Sequence, residues 1–212
     1  MYQSQKELRY TAGLETKKEI SEERLRTIAW DVDDVLNDLM RLWLKYWVKK
    51  HPKCRIKYND IKVNPPHRIF GITLEQYRKS LDEFKKSGAY DRMAPRPEVM
   101  KWFRKYGKNF RHIALSAVSL SSASYSAGWV MKHFGKWIRT YHFVPSKRKG
   151  EKIPLYDKDK AAYLKRLSAA DIIVEDNEQN IKLAKRIGIK GILIPRPWNG
   201  GKGNIEKIIH NI

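Results

Sequence analysis

Two aspartates, Asp31 and Asp33, follow directly after the apolar run Ile28-Ala29-Trp30. An apolar run that ends in acids predicts a buried strand, and residues two apart at its end point the same way. Carboxylate oxygens are the hard ligands that Mg²⁺ prefers, and an aspartate beside a metal-bound phosphoryl group can attack its phosphorus. The pair therefore predicts a metal-binding and nucleophilic centre.

Other polar residues occupy similar positions later in the chain. Ser116 ends one apolar run, Glu175 with Asp176 ends another, and Lys158 and Lys160 begin a predicted helix. In an open parallel sheet the active site lies outside the carboxyl ends of the strands. A serine and a lysine there would donate to the phosphate oxygens on which charge gathers. Each signal is weak alone, but their order and placement together indicate one site.

The elements that would position these residues alternate along most of the chain. Strands are predicted at residues 27–32, 111–116, 138–144, 171–174 and 191–194. Helices are predicted at residues 36–50, 73–86, 98–106, 122–134, 158–167 and 180–187. From residue 94 onward strands and helices alternate, which is typical of an α/β protein with a parallel sheet and helices on both faces.

Residues 37–93 interrupt this alternation, because they are predicted to be helical and contain no convincing strand. One of their helices has Thr73 as its N-cap and Gln76 three positions on, which is a capping box. We therefore expect a catalytic core at residues 27–36 and 94–212, a helical cap inserted at 37–93, and an N-terminal extension at 1–26.

The four motif segments resemble those of the haloacid dehalogenase (HAD) superfamily. They are residues 28–36 (IAWDVDDVL), 112–116 (HIALS), 158–160 (KDK) and 172–177 (IIVEDN). The resemblance implies a Rossmann-like, three-layer α/β fold with a parallel sheet and a small helical cap. It also implies Mg²⁺ as cofactor and a phosphatase-type hydrolase.

The resemblance implies a role for each motif residue. Asp31 matches the nucleophile, Asp33 the general acid/base, Ser116 the phosphate-binding hydroxyl and Lys160 the phosphate-binding lysine, with Lys158 left as the alternative. The predicted metal ligands are Asp31, Asp33 through its backbone carbonyl, Glu175 and Asp176, and the predicted substrate contacts are Ser116, Ala117, Lys160, Asn177 and Arg68. Asp34 replaces the glycine that usually follows the second aspartate.

The predicted cap carries a set of aromatic residues that could form a wall for a nucleotide or sugar phosphate. Ordinary packing accounts for each of them equally well. The set, with the one arginine that would accompany it, is Trp43, Trp47, Tyr58, His67, Arg68 and Tyr77.

The composition limits which binding partners and which cellular compartment we expect. The chain has 212 residues, with 44 basic against 23 acidic side chains, a formal net charge of +21. Such a field attracts phosphorylated metabolites or nucleic acid, although a solvated lysine-rich surface explains it equally well. The single cysteine, Cys54, excludes an intrachain disulfide and a thiolate zinc site. No stretch approaches the roughly 20 apolar residues of a membrane span, so we expect a cytoplasmic protein and no membrane partner.

Three functions fit these observations. The first is a Mg²⁺-dependent phosphomonoesterase, nucleotidase-like, that acts through an aspartyl-phosphate at Asp31. The second has the same chemistry but acts on nucleic-acid ends, which the charge would favour. The third is a noncatalytic phosphate- or nucleic-acid-binding protein on the same fold, against which the complete set of motif side chains argues.

Overall fold

A computed structural model describes residues 24–167 and 170–212. Its centre is a sheet of five parallel strands, in the spatial order β3-β2-β1-β4-β5. The predicted α/β class with a parallel sheet is therefore confirmed, and each predicted strand is present. The strands are β1 (Thr27–Trp30), β2 (Arg111–Val118), β3 (Ile138–Pro145), β4 (Ile172–Glu175) and β5 (Lys190–Leu193).

Eight helices surround the sheet in the described residues. They are α1 (Leu39–Lys50), α2 (Leu74–Lys86), α3 (Gly88–Asp91), α4 (Pro97–Tyr106), α5 (Leu120–Phe134), α6 (Lys160–Leu167), α7 (Glu178–Arg186) and α8 (Ile205–His210). Residues 37–93, all of them described, hold α1 to α3 and no strand. The boundaries of core and cap stay a prediction, and the predicted N-terminal extension lies outside the described residues except for 24–26.

The strands are short and apolar because both faces of the sheet are covered. Ile28 and Trp30 of β1 belong to one apolar cluster, and Ala29 between them belongs to another. This alternation is the two-residue period of a strand, which sends neighbouring side chains to opposite faces. The first cluster packs under α1, α2, α4, α5 and α8, and the second packs under α6 and α7. The molecule therefore has the expected three layers.

A buried polar pair sits within the first cluster. The indole nitrogen of Trp30 donates to Nδ1 of His112 at 3.0 Å, and His112 Nε2 lies 2.8 Å from the carbonyl oxygen of Gly107. Both ring nitrogens therefore have partners, and the one facing the carbonyl carries the proton. Burial lowers the pKa of His112, so the ring is neutral in the folded chain.

Helix α2 begins where the capping box predicts. The backbone N–H of Gln76 donates to Thr73 Oγ1 at 3.1 Å, and the backbone N–H of Thr73 donates to Gln76 Oε1 at 2.8 Å. The inward side of the helix buries two charged residues, Asp82 and Lys85, beside its apolar ones. Buried charges require partners, and theirs lie in the site described below.

Among the described residues, no helix combines the length and the apolar character that crossing a membrane requires.

Candidate active site

The strand order places a crevice at the carboxyl end of β1. The chain leaves β1 to build β2 and β3 on one side, then returns to build β4 and β5 on the other. Parallel sheets bind their ligands in the crevice at the carboxyl ends of the strands, at the point where the strand order reverses. Asp31 follows β1 there, and Asp176 follows β4.

A tight turn carries the chain from β1 to α1. Its tightest residue, Asp34, has φ of 62°, in the left-handed region that glycine favours and aspartate tolerates. Asp34 Oδ1 also accepts the backbone N–H of Met40 at 3.0 Å, and Asn37 Oδ1 accepts the N–H of Asp34 at 3.1 Å. This turn explains why α1 begins at Leu39, three residues later than predicted.

Three buried carboxylates converge at the crevice. One oxygen from each of Asp31, Glu175 and Asp176 lies within 4.8 Å of the others. Asp31 Oδ1 accepts the backbone N–H of Val32 at 2.7 Å, and Asp176 Oδ2 accepts the indole N–H of Trp198 at 2.8 Å. The second oxygen of each aspartate accepts no hydrogen bond from the described residues. Two carboxylate oxygens are therefore free to take a ligand.

Lys160, at the start of α6, lies between two of these carboxylates. Its ammonium is 2.7 Å from Asp31 Oδ1 and donates also to Glu175 Oε1. The other Glu175 oxygen accepts the backbone N–H groups of Asp176 and Asn177, both at 3.1 Å. Glu175 thus anchors the lysine, and the lysine holds Asp31 in place. The alternative, Lys158, is exposed.

The crowding of charge shifts the pKa values of the cluster. Burial, and then the charge of Glu175, raise the pKa of Asp31 well above its usual range and that of Asp176 to about 8. Burial opposes the charged form of Lys160, but Asp31 and Glu175 outweigh it and raise the pKa of the ammonium. Carboxylates in this state gain from a cation beside them. Their oxygens are the hard donors that Mg²⁺ takes, so the cluster fits that ion.

Asp33 is held from a different direction. Lys85 of α2 donates to its Oδ2, while the Tyr90 hydroxyl at 3.2 Å and the Asn37 amide at 3.3 Å donate to Oδ1. Lys85 is buried, with its side chain 3% exposed, whereas the Asp33 side chain is 17% exposed. Two elements of the predicted cap, α2 and α3, therefore fix the side chain that the motif places in the core.

One cavity of about 310 Å³ brings these groups together. Its strand-end wall is formed by Asp31, Ser116, Lys160, Glu175 and Asp176. Its α2 wall is formed by Tyr77, Arg78, Leu81, Asp82 and Lys85. Asp33, Ala117 and Asn177 line the same cavity.

Ser116 has a hydroxyl that is free to donate a hydrogen bond to a phosphate. Its side chain is buried, yet its hydroxyl has no hydrogen-bond partner among the described residues. A buried hydroxyl without a partner is costly unless a ligand supplies one. Asn177 lines the cavity, but its side chain serves mainly as the N-cap of α7, accepting from the backbone of Gln179 and Asn180.

Arg68 does not line the cavity, and its role as a substrate contact stays a prediction. The residue is exposed, and it lies in a turn in which the N–H of Gly71 donates to its carbonyl oxygen at 3.2 Å. Asn64 and Pro65 from the same loop line the cavity instead. Of the predicted aromatic wall, only Tyr77 lines it.

Tyr58 packs edge-on against Trp198 of the predicted core, with ring centroids 5.9 Å apart, whereas Trp43 and Trp47 pack within the cap. The Trp43 indole is buried and donates to Ser80 Oγ at 3.0 Å, and Trp47 stacks on His51 with ring centroids 3.7 Å apart. Ordinary packing, the alternative raised for these residues, accounts for both.

Two features of the α2 wall have no counterpart in the sequence motifs. The first is Lys85. The second is a bidentate pair in which the Arg148 guanidinium donates to both oxygens of Asp82, each at 2.7 Å. Ser119 and Ser122 complete it by donating to Asp82 Oδ1 at 2.9 and 3.3 Å. The only sequence signal was a charged residue on the apolar side of an amphipathic helix, at positions 82 and 85 of α2.

Solved structures with the same architecture come from the HAD superfamily. A HAD-like hydrolase from Bacteroides fragilis is 15% identical with a TM-score of 0.56, covering 87% of this chain and 93% of its own. A HAD-like family protein from Streptococcus pneumoniae is 13% identical with a TM-score of 0.55, covering 88% and 90%. A mutant CbbY from Rhodobacter sphaeroides, in complex with xylulose-1,5-bisphosphate, is 14% identical with a TM-score of 0.50, covering 84% and 90%.

These similarities establish the fold that the motifs implied. At such identities they extend to the fold and not to the reaction. No family model matches the sequence, and no curated protein matches it either.

Proposed function

We propose that this chain, which has the HAD-type fold, is a Mg²⁺-dependent phosphomonoesterase that acts through an aspartyl-phosphate at Asp31. The observation that carries the proposal is the free Asp31 Oδ2 beside Lys160, Asp176 and the unpartnered Ser116 hydroxyl, all in one cavity. A nucleophile, a cation and a free donor are the groups that transfer of a phosphoryl group requires.

In the proposed first step, Asp31 Oδ2 attacks the phosphorus of the ester and the bond from phosphorus to the leaving oxygen breaks. Asp33 supplies a proton to that oxygen, so a neutral alcohol departs. In the second step a water attacks the phosphorus and gives its proton to Asp33. The bond from Asp31 to phosphorus breaks, which releases inorganic phosphate and restores both carboxyl groups.

The remaining groups hold the phosphoryl oxygens and the nucleophile. Ser116 donates its free hydroxyl to one oxygen, and Lys160 keeps Asp31 in position while compensating its charge. Asp31 and Asp176, with Glu175 beside them and the backbone carbonyl of Asp33, are the predicted Mg²⁺ ligands. When bound, the ion would neutralise charge on the phosphoryl group.

The substrate class that we favour is a phosphorylated small molecule, nucleotide-like in size. A cavity of about 310 Å³ accommodates a phosphate with a small organic group, and Tyr77, Leu39 and Met40 offer it an apolar and aromatic surface.

The test is release of inorganic phosphate from a panel of phosphomonoesters, including nucleoside monophosphates, with Mg²⁺ and with a chelator. We expect activity that needs the metal, and Asp31→Asn should reduce kcat by roughly 10⁴-fold or more, as loss of a covalent nucleophile does. Asp60→Asn, the same change at an exposed aspartate, is the matched control. Equal rates for Asp31→Asn and the wild type, or no release at all, would contradict the proposal.

A second candidate function, action on the phosphorylated ends of nucleic acid, rests on a basic groove next to the cavity. The groove and the cavity share Arg78, Asp82 and Arg148. Beyond these, its charged lining residues are the exposed lysines Lys79, Lys86, Lys147 and Lys149 and the exposed glutamates Glu75 and Glu83, so basic side chains are in excess. Nucleic-acid backbones bind such basic surfaces by releasing counterions.

Binding of a 5′-phosphorylated oligonucleotide at several salt concentrations tests this candidate. We expect the affinity to fall steeply with salt, and Lys147→Glu/Lys149→Glu to weaken binding more than Lys105→Glu/Lys108→Glu, an equal change of charge away from the groove. Equal effects of the two double variants would assign the attraction to the overall charge and count against the groove.

A further inference from the structure

Lys85 is unusual because it is a lysine whose side chain is buried. It lies in α2, its side chain is 3% exposed, and its ammonium lines the same cavity as Asp31, Ser116 and Lys160. An ammonium has three N–H donors. In the described parts of the chain only Asp33 accepts a hydrogen bond from it. The Tyr90 ring also lies near the ammonium, 5.6 Å from its centroid. With a single hydrogen-bond acceptor, the buried ammonium keeps N–H donors for a ligand, and Lys85 lines the cavity.

The partner of Lys85 is the residue to which we assign proton transfer. Asp33 accepts from Lys85, Tyr90 and Asn37 at once. A carboxyl group that gives a proton to a leaving oxygen must turn one of its oxygens toward that atom. At least one donor has to withdraw, and the lysine is the one on a flexible four-carbon stem.

The helix that carries Lys85 is tied to the chain after β3, so we expect the exchange to involve the side chain alone. Asp82, one turn earlier in α2, is joined by two hydrogen bonds of 2.7 Å to Arg148, which follows β3. Arg148 also donates to the carbonyl oxygen of Ser146 at 2.6 Å. Rotation of the Lys85 side chain therefore needs no displacement of α2.

We propose that Lys85 is an exchangeable substrate ligand: its ammonium pairs with Asp33 in the ligand-free chain and transfers to the anionic oxygens of a bound phosphate monoester. The exchange rests on the proposed phosphatase function. It couples binding of the substrate to release of Asp33, so the acid/base becomes available only when a dianionic ligand is in the cavity. Lys85 then contacts the phosphate in both the ground state and the transition state.

This role predicts a particular change in the kinetics. Lys85→Met should raise KM for p-nitrophenyl phosphate and Ki for inorganic phosphate by roughly 10- to 100-fold, the loss of a hydrogen bond between charged groups. The change in kcat should be much smaller, because contacts made equally in both states affect KM alone. Lys85→Arg should recover part of the loss. Lys45→Met, the same change at an exposed lysine of α1, should leave both constants as in the wild type.

A purely structural ion pair would behave differently. Loss of a residue that only positions Asp33 would lower kcat and leave KM and Ki unchanged, and that result would overturn the proposal. A crystal of the wild type with orthovanadate reads the exchange directly, without any variant. We expect the Lys85 ammonium on a vanadate oxygen, and an ammonium still on Asp33 in that complex would also overturn it.

Failure of the proposed function remains distinguishable from failure of the exchange. A wild type that releases no phosphate contradicts the phosphatase assignment. Binding of inorganic phosphate, measured by calorimetry on the wild type, Lys85→Met and Lys45→Met, still tests the exchange: weaker binding in Lys85→Met alone supports it, and equal binding in all three contradicts it.

Discussion

The strand-end wall and the α2 wall both place a buried lysine against an aspartate, but they hold it differently. Lys160 lies between two carboxylates, Asp31 and Glu175, of which Glu175 is completely buried. Lys85 has a single carboxylate partner, Asp33, which is partly exposed. Two carboxylates hold the first lysine in place, whereas in the described residues a single carboxylate accepts from the second.

Under the proposed function, this difference separates two tasks within one cavity. A nucleophile and a metal cluster need geometry that does not change as the substrate arrives, and saturated contacts provide it. An acid/base that alternates between holding and releasing a proton needs a neighbour that can exchange partners. Substitutions in the two walls should therefore differ in their effects.

Lys160→Met should be the most damaging lysine substitution. It leaves Asp31 and Glu175 buried without their cation, and loss of one partner of a buried ion pair costs about 3 kcal/mol in the free energy of unfolding. Lys85→Met should cost clearly less, because Asp33 is partly exposed and keeps Tyr90 and Asn37 as donors. Urea unfolding of both variants without Mg²⁺ measures the difference, and equal losses would remove the contrast between the walls.

Loss of the ion pair between Asp82 and Arg148 should have the second largest effect on stability. Asp82→Ala leaves a half-buried guanidinium without its bidentate partner, so we expect α2 to loosen from the loop after β3. A double-mutant cycle with Arg148→Ala should give a coupling energy of about 2 kcal/mol in unfolding, within the range for residues in direct contact. The exposed pair of Lys101 and Glu206 is the control, and its cycle should show no coupling. Absence of a coupling energy between Asp82 and Arg148 would mean that apolar packing alone holds α2.

The smallest effect should come from His112, behind the strand-end wall. Burial lowers the pKa of this histidine below its ordinary value of 6.5, so the unfolded chain binds the proton more readily. Its contribution to stability is complete above pH 6.5 and is lost as the pH falls below that value. His112→Gln, which can replace both hydrogen bonds, should therefore unfold with a shallower loss of stability between pH 7 and pH 5. Identical pH profiles of thermal unfolding for the two proteins would contradict the assignment.

Much of the strand-end wall could be predicted because its residues lie at or near the carboxyl ends of strands. Asp31 and Asp176 follow β1 and β4, whereas β2 continues for two residues past Ser116, where the apolar run predicted its end. Parallel strands bring their carboxyl ends to one edge whatever the loops between them do. The capping box of α2 was predictable for a similar reason, since its hydrogen bonds join residues three apart. Helix α1 was predicted to begin too early, because the turn around Asp34 depends on a left-handed residue that the apolar spacing does not reveal.

The α2 wall could not be predicted in this way. Arg148 and Asp82 are 66 residues apart, and neither belongs to a local pattern that names the other. A lysine in an amphipathic helix is normally interpreted as surface, and Lys85 departs from that rule only because the turn after β1 lies against it. Arg68 shows the opposite case, since its residue type suits a phosphate but the residue is exposed and does not line the cavity.

Helix α8 was also missed. Asn204 caps it by accepting the backbone N–H of Glu206 at 2.8 Å and that of Lys207 at 3.3 Å. The apolar spacing of Ile205, Ile208 and Ile209 is compatible with a helix, but six residues form too short a pattern to predict one.

The amino-acid sequence was sufficient to predict the five strands in their order along the chain, and with them the edge of the sheet at which the acids meet. That follows because the two-residue and 3.6-residue periods of apolar side chains are local, and a parallel sheet aligns the strand ends they define. The position of Lys160, rather than Lys158, beside Asp31 and the second lysine that α2 supplies to Asp33 depend on the tertiary structure. Contacts between distant segments depend on how helices pack across the cavity, and burial is what turns an ordinary lysine into a group that needs a partner.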